Sequence, residues 1–159
     1  MNTFDETLAF FLTWSTYGTW LPGDSRGWTE YHHGWKFPDP QRLLEASARM
    51  TEEACILSKQ QRIAVESQIK ETCDARGWQL HAVNCRTNHV HSVVTATETS
   101  PKKVRRDLKS WTTRRLRREF DRARENWWGE RGSVRHIFDE TGLEAAIIYV
   151  TEGQDRARG

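Results

Sequence analysis

Residues 78–96 read WQLHAVNCRTNHVHSVVTA. Trp78 to Arg86 alternates in polarity, Thr87-Asn88 is a short polar turn, and His89 to Thr95 is rich in β-branched residues. Such a pattern predicts a β-hairpin. On its first strand Leu80, Ala82 and Asn84 are expected on one face, and His81, Val83 and Cys85 on the other. On the second, residues i and i+2 share a face, so the imidazoles of His89 and His91 stand side by side while Val90 points into a core. Two neutral imidazoles on one surface suit a divalent metal if a third ligand and a substrate oxygen complete the shell. Without those partners they are solvated strand histidines.

The rest of the chain arranges itself around this hairpin. Leu8 to Thr16 (LAFFLTWST) predicts a first strand, buried on both faces. From Tyr17 to about Met50 the chain is expected to be irregular, apart from a short helix from Gln41 to about Ala48. This stretch carries Trp20, Trp28, Trp35 and the His32-His33 pair. Neighbouring histidines diverge on any regular element and chelate poorly, so these two are expected at the surface. The aromatic content argues against disorder and leaves two readings, a flap packed over a sheet edge or a nucleic-acid contact. Thr51-Glu52-Glu53 reads as a helix start, with Leu57, Ala64, Val65, Ile69 and Cys73 forming a stripe through about Asp74 and Gly77 ending it. Trp14 and Trp78 are expected in the core.

Ser100-Pro101 opens a second long helix. Val104, Leu108, Trp111, Leu116 and Phe120 are its expected sheet-facing residues. Its other faces carry Lys102, Lys103, Arg105, Arg106, Lys109, Arg114, Arg115, Arg117, Arg118, Arg122 and Arg124. A run of one sign over a helix of this length is a plausible footprint for a polyphosphate. Ser133 to Phe138 predicts a short strand. Glu140 to Glu152 predicts a final helix that packs Leu143, Ala146, Ile147 and Val150 inward and carries Tyr149.

The fold class implied is α+β. It has a ferredoxin-like βαββαβ core with an antiparallel sheet, a long insertion at 17–50 between the first strand and first helix, and an extra C-terminal helix bearing the tyrosine. Residues 1–159 read as one domain, and a length of 159 residues leaves room for one substantial core. The net charge of +2 names no partner by itself, so the clustering on the basic helix carries the signal. Three cysteines, Cys55, Cys73 and Cys85, are odd in number and lack C-x-x-C spacing. They suit buried thiols in a reducing compartment. With no leader and no apolar run of spanning length, the expectation is a cytoplasmic protein with no membrane partner.

Asn88-His89-Val90-His91 at the start of a central strand, a single tyrosine on a C-terminal helix (Ile148-Tyr149-Val150), and the stretch Thr16-Tyr17-Gly18-Thr19-Trp20-Leu21-Pro22-Gly23-Asp24 occur together. The combination resembles the single-tyrosine transposases of the HUH superfamily, and most closely the branch of REP-associated tyrosine transposases. The likeness spans nearly the whole chain. It implies metal-dependent cleavage and joining of single-stranded DNA beside hairpins. His89 and His91 would hold Mg2+ or Mn2+, and Tyr149 would attack the phosphate to give a 5′-phosphotyrosine intermediate and a free 3′-hydroxyl. A phenol with a pKa of about 10 is a weak nucleophile, so a cation beside it is chemically apt. Lys102, Lys103, Arg105, Arg106, Lys109, Arg114, Arg117 and Arg118 would bind the DNA.

In the family a Gln or Asn commonly follows the tyrosine by four residues and completes the metal shell. Here that position is Gly153, a departure. Gln154 is assigned as third ligand, with Glu152 as competitor. Two other readings stay open: a non-catalytic nucleic-acid-binding module, which lacks an RNP-like aromatic pattern here, and a domesticated relative that binds without turnover. Whether Tyr149 serves its own chain's histidines or those of a second copy in a homodimer is also open.

Overall fold

The computed structural model describes residues 7–30 and 34–153. Four long strands form one antiparallel sheet: β1 (Ala9–Thr16), β4 (Gln79–Cys85), β5 (His89–Thr95) and β6 (Trp128–Ile137). Their order across the sheet is β4-β5-β1-β6. A smaller hairpin, β2 (Trp28–Glu30) with β3 (Gly34–Lys36), and the helix α1 (Pro40–Ala48) occupy the insertion. Sequence periodicity marked the helix but not the hairpin, whose strands are three residues each. His32 and His33 lie outside the described residues.

Helices α2 (Lys59–Arg76) and α3 (Pro101–Glu119) cover one face of the sheet. Phe10, Leu12 and Trp14 of β1, Val90 and Val94 of β5, Val65, Ile69 and Cys73 of α2, and Val104, Leu108 and Leu116 of α3 form the main core there. Each fully buried aliphatic side chain of this kind contributes about 1.5–3 kcal/mol. The opposite face carries α4 (Glu140–Ile148), which packs Leu143 and the following Val150 on Ala9, Ala82, Val93 and Ile137. Trp14 and Trp78 are buried as expected, as are all three cysteine thiols. Among the described residues no helix is long and apolar enough to cross a membrane.

Several local expectations are corrected. Helix α2 begins at Lys59, not at Thr51. Residues before it are held by bonds elsewhere: Cys55 N donates to Tyr17 O and Leu57 N to Thr87 O, each at 2.8 Å. Ser58 and Gln61 then close a reciprocal capping box, and Gly77 (φ 72°) supplies the left-handed terminus. Strand β1 is not buried on both faces. Phe10, Leu12 and Trp14 are buried, while Phe11, Thr13 and Ser15 are half-buried on the α4 side.

In β4 a bulge between Leu80 and Ala82 breaks the alternation, so Leu80 packs with Val83 and Cys85 instead of sharing the face of Ala82. In α3 Thr112, not Trp111, faces the core. Its hydroxyl donates to Leu108 O at 2.7 Å and accepts from Trp128 Nε1 at 3.1 Å, whereas Trp111 and Phe120 are exposed. The helix stops at Glu119, and the Asp121 carboxylate then caps the backbone N–H groups of Ala123 and Arg124. Strand β6 starts at Trp128, five residues before the predicted Ser133. Helix α4 is shorter than predicted, because residues Tyr149–Gly153 form a π turn.

Candidate active site

The alternation of β5 places His89 and His91 on the α4 side of the sheet, opposite the main core, with ring centroids 4.7 Å apart at 88°. Val90 between them is fully buried on the other side. The strand on each flank supplies support. Thr13 of β1 lies opposite His91 in register, and Thr13 Oγ1 is 3.1 Å from His91 Nδ1. His89 Nδ1 is 2.7 Å from Asn88 Oδ1, and because a carboxamide oxygen only accepts, the ring donates there. Donation from Nδ1 leaves His89 Nε2 with the lone pair that a metal ligand needs, and His91 offers its own Nε2 in the same way when its Nδ1 donates to the Thr13 hydroxyl. Burial, then the neighbouring His89 and Arg86, depress the His91 pKa to about 4, so this imidazole is neutral near pH 7.

Tyr149 arrives from the far end of the chain. Its ring centroid is 5.9 Å from that of His91 and 5.9 Å from that of Phe11, and the side chain is half exposed. The next residue, Val150, is fully buried against the sheet. Asn84, opposite His91 on the other flank, donates from Nδ2 to Val150 O at 3.0 Å. The π turn thus begins at the tyrosine and is pinned one residue later. Such turns recur at functional sites.

Two imidazoles supply a nitrogen donor pair suited to a divalent ion, and Asn88 Oδ1 is the kind of Nδ1 partner that a ligating histidine uses. Among the described residues no cluster of three His, Cys, Asp or Glu side chains could hold a metal, so Glu152 does not complete such a set. Gln154 lies outside the described residues. The donor pair would suit a metal whose remaining positions are filled by substrate oxygens or other oxygen ligands.

The basic helix is on the other face of the sheet from this cluster, since α3 packs on the Trp14–Val90 side. Its cations also differ among themselves. Arg106, Arg114 and Arg118 are exposed, and Arg114 lies 4.7 Å over the Trp111 ring. Lys102 is exposed too. Lys103 pairs with Asp107 at 3.0 Å, and Arg117 donates to Arg122 O at 3.2 Å. Arg105 and Lys109 turn inward: Lys109 Nζ donates to Gly129 O at 2.7 Å, and burial lowers the pKa of both.

Asn84 and Thr13 are site residues that the sequence reading did not single out. Register would have found them, because the face of His91 continues across the sheet to the residues opposite it.

The chain's residues 48–139 match the family model described as "Transposase IS200 like". Comparison with curated proteins gave no match. Among solved structures, a candidate transposase from Deinococcus radiodurans R1 is similar, with TM-score 0.54 and 14% identity over 87% of this chain and 85% of that one. A REP-associated tyrosine transposase bound to a REP hairpin is similar as well, with TM-score 0.53 and 12% identity over 94% of this chain and 67% of that one. At those identities the likeness is one of fold. With the family model matching more than half of its length, the chain belongs to the IS200-like transposase family.

Proposed function

We propose that this protein cuts and rejoins single-stranded DNA next to hairpins, with Tyr149 as nucleophile. The observation that carries the reading is the convergence of Tyr149 with His91 and His89 on one sheet face, from positions some sixty residues apart. Family membership supports DNA processing.

His89 and His91 would hold a divalent cation, Mg2+ or Mn2+, which when bound would polarise the scissile phosphate and offset its charge. The chain does the rest. Thr13 and Asn88 hold the imidazoles in orientation, and Asn84 and Val150 hold the segment that presents the phenol. The Tyr149 phenol gives up its proton to solvent as its oxygen bonds to phosphorus, the bond to the 3′-oxygen breaks, and that oxygen takes a proton from solvent to leave as a hydroxyl. Attack by a 3′-hydroxyl on the 5′-phosphotyrosine reverses the step and frees the phenol. The exposed cations of α3 lie across the sheet, so they suit the hairpin stem and not the cleaved strand.

Incubation with end-labelled hairpin oligodeoxynucleotides and Mn2+ tests this. A covalent adduct should form with wild type and be absent with Tyr149→Phe. If both proteins behave alike across a panel of hairpins with different flanks, the assignment of the nucleophile is wrong.

A further inference from the structure

Under the insertion lies a cavity of about 520 Å3 that the mechanism does not use. Thr13 and Ser15 of β1 and Ser133 of β6 contribute to its floor, and Trp20, Trp28 and Trp35 to its walls. The floor abuts the cluster. Thr13 is paired in register with His91 and Ser15 with His89, one strand spacing of about 4.8 Å away. Thr13, which lines the cavity, is the residue whose hydroxyl meets His91 Nδ1.

The walls are held in place. Trp20 Nε1 donates to Gly27 O at 2.9 Å and Trp28 Nε1 to Phe37 O at 3.1 Å, so neither ring is free to turn. Gly27 has φ +87°, and a Cβ there would overlap the Trp35 indole, which lies against the bare backbone. Trp28 is buried, yet Trp20 and Trp35 remain 47% and 59% exposed at the rim. The Arg26 guanidinium already lies 4.8 Å over the Trp20 ring, so Trp35 is the more open indole, and with hydroxyls in the cavity floor it suits a planar aromatic guest with a polar edge. With the Thr13 hydroxyl engaged by His91, the hydroxyls of Ser15 and Ser133 meet the guest, and because hydroxyls both donate and accept they accommodate the edge of any base.

We propose that this cavity receives an unpaired nucleobase of the strand whose phosphate lies at His89 and His91. The inference rests on the single-stranded DNA reading above and adds a subsite to it. Stacking on the indoles would grip the nucleotide neighbouring the cut without strict choice of base. It would also hold the phosphate in place for Tyr149.

Hairpin oligodeoxynucleotides with single-stranded thymidine flanks, and the same hairpin without flanks, can be titrated in EDTA and followed by fluorescence anisotropy. Trp35→Ala should weaken binding of the flanked hairpin about tenfold, Trp35→Phe should restore most of it, and binding of the bare hairpin should not change. Exposure of Trp35 makes loss of fold unexpected, and thermal melting of each variant checks this. With 5-iodouracil scanned along the flank, photocross-links should map to Trp20 or Trp35 from positions next to the nucleotide that joins Tyr149. Equal affinity of Trp35→Ala and wild type for the flanked hairpin, or cross-links confined to α3, would overturn the proposal. If wild type still forms the Tyr149 adduct in that case, only the base subsite falls. If wild type prefers no flanked hairpin and forms no adduct, the subsite and the DNA-cleavage reading fall together.

Discussion

Asn84 and Val150 are joined by a 3.0 Å hydrogen bond from a side-chain amide to a backbone carbonyl, across sixty-six positions of sequence. The bond makes the strand beside the histidines the support for the segment bearing the phenol. Replacing Asn84 with Leu removes the donor while keeping the volume. One lost bond of this kind costs about 1 kcal/mol. Adduct formation in single turnover should slow by roughly fivefold, with oligonucleotide affinity unchanged. An unaltered rate would show that the π turn holds its position without Asn84.

Thr13 stands to His91 as a tuning partner. Thr13→Val keeps the shape and deletes the hydroxyl, so Mn2+ affinity should drop about ten- to a hundredfold. Electron paramagnetic resonance of free Mn2+ during titration gives the value. Equal affinity in the two proteins would remove Thr13 from the site.

The depressed pKa of His91 has a signed consequence for stability. Between pH about 4 and 6.5 the unfolded chain binds a proton on this ring that the folded chain does not. The stabilising contribution is complete above 6.5 and is lost as pH falls through that window. Denaturant midpoints in EDTA should therefore decline on acidification in this range, and His91→Asn should flatten the decline. Parallel slopes for the two proteins would contradict the assignment.

The two classes of cation on α3 should separate experimentally. Arg106→Glu combined with Arg114→Glu should weaken hairpin binding and reduce the salt slope by about 2. Lys109→Met should instead lower the melting temperature, because its ammonium is spent on Gly129 O. A salt slope unchanged in the double variant would place the stem elsewhere.

Thr112→Val tests the inner seam of α3. It leaves the buried Trp128 Nε1 without its 3.1 Å acceptor and should cost about 1–3 kcal/mol in urea unfolding. A smaller loss would mean that the indole finds another acceptor.

The hairpin of β4 and β5 was legible because its alternation is strong and its turn polar, and with it the shared face of His89 and His91. The element order followed from the same periodicities. Features that depend on partners distant in sequence were not legible. Thr51 looks like a cap, yet the backbone after it is claimed by Tyr17 and Thr87. Trp111 looks more apolar than Thr112, but only the smaller residue fits under Trp128 and satisfies its N–H. The charge on α3 was plain, while its separation from the histidines by the thickness of the sheet was not. Asn84 was seen as a strand residue, and only the π turn reveals what it holds.

The π turn also makes spacing in the C-terminal segment unforgiving. Each residue of an ordinary helix advances the side chain by about 100°. Removing one residue between Leu143 and Tyr149 would turn Tyr149 and Val150 together by about that angle relative to Leu143, so the phenol would leave the histidines and Val150 would have to find another seat. Length changes there should therefore abolish strand transfer while sparing the main core, a sensitivity that substitution scanning alone would miss.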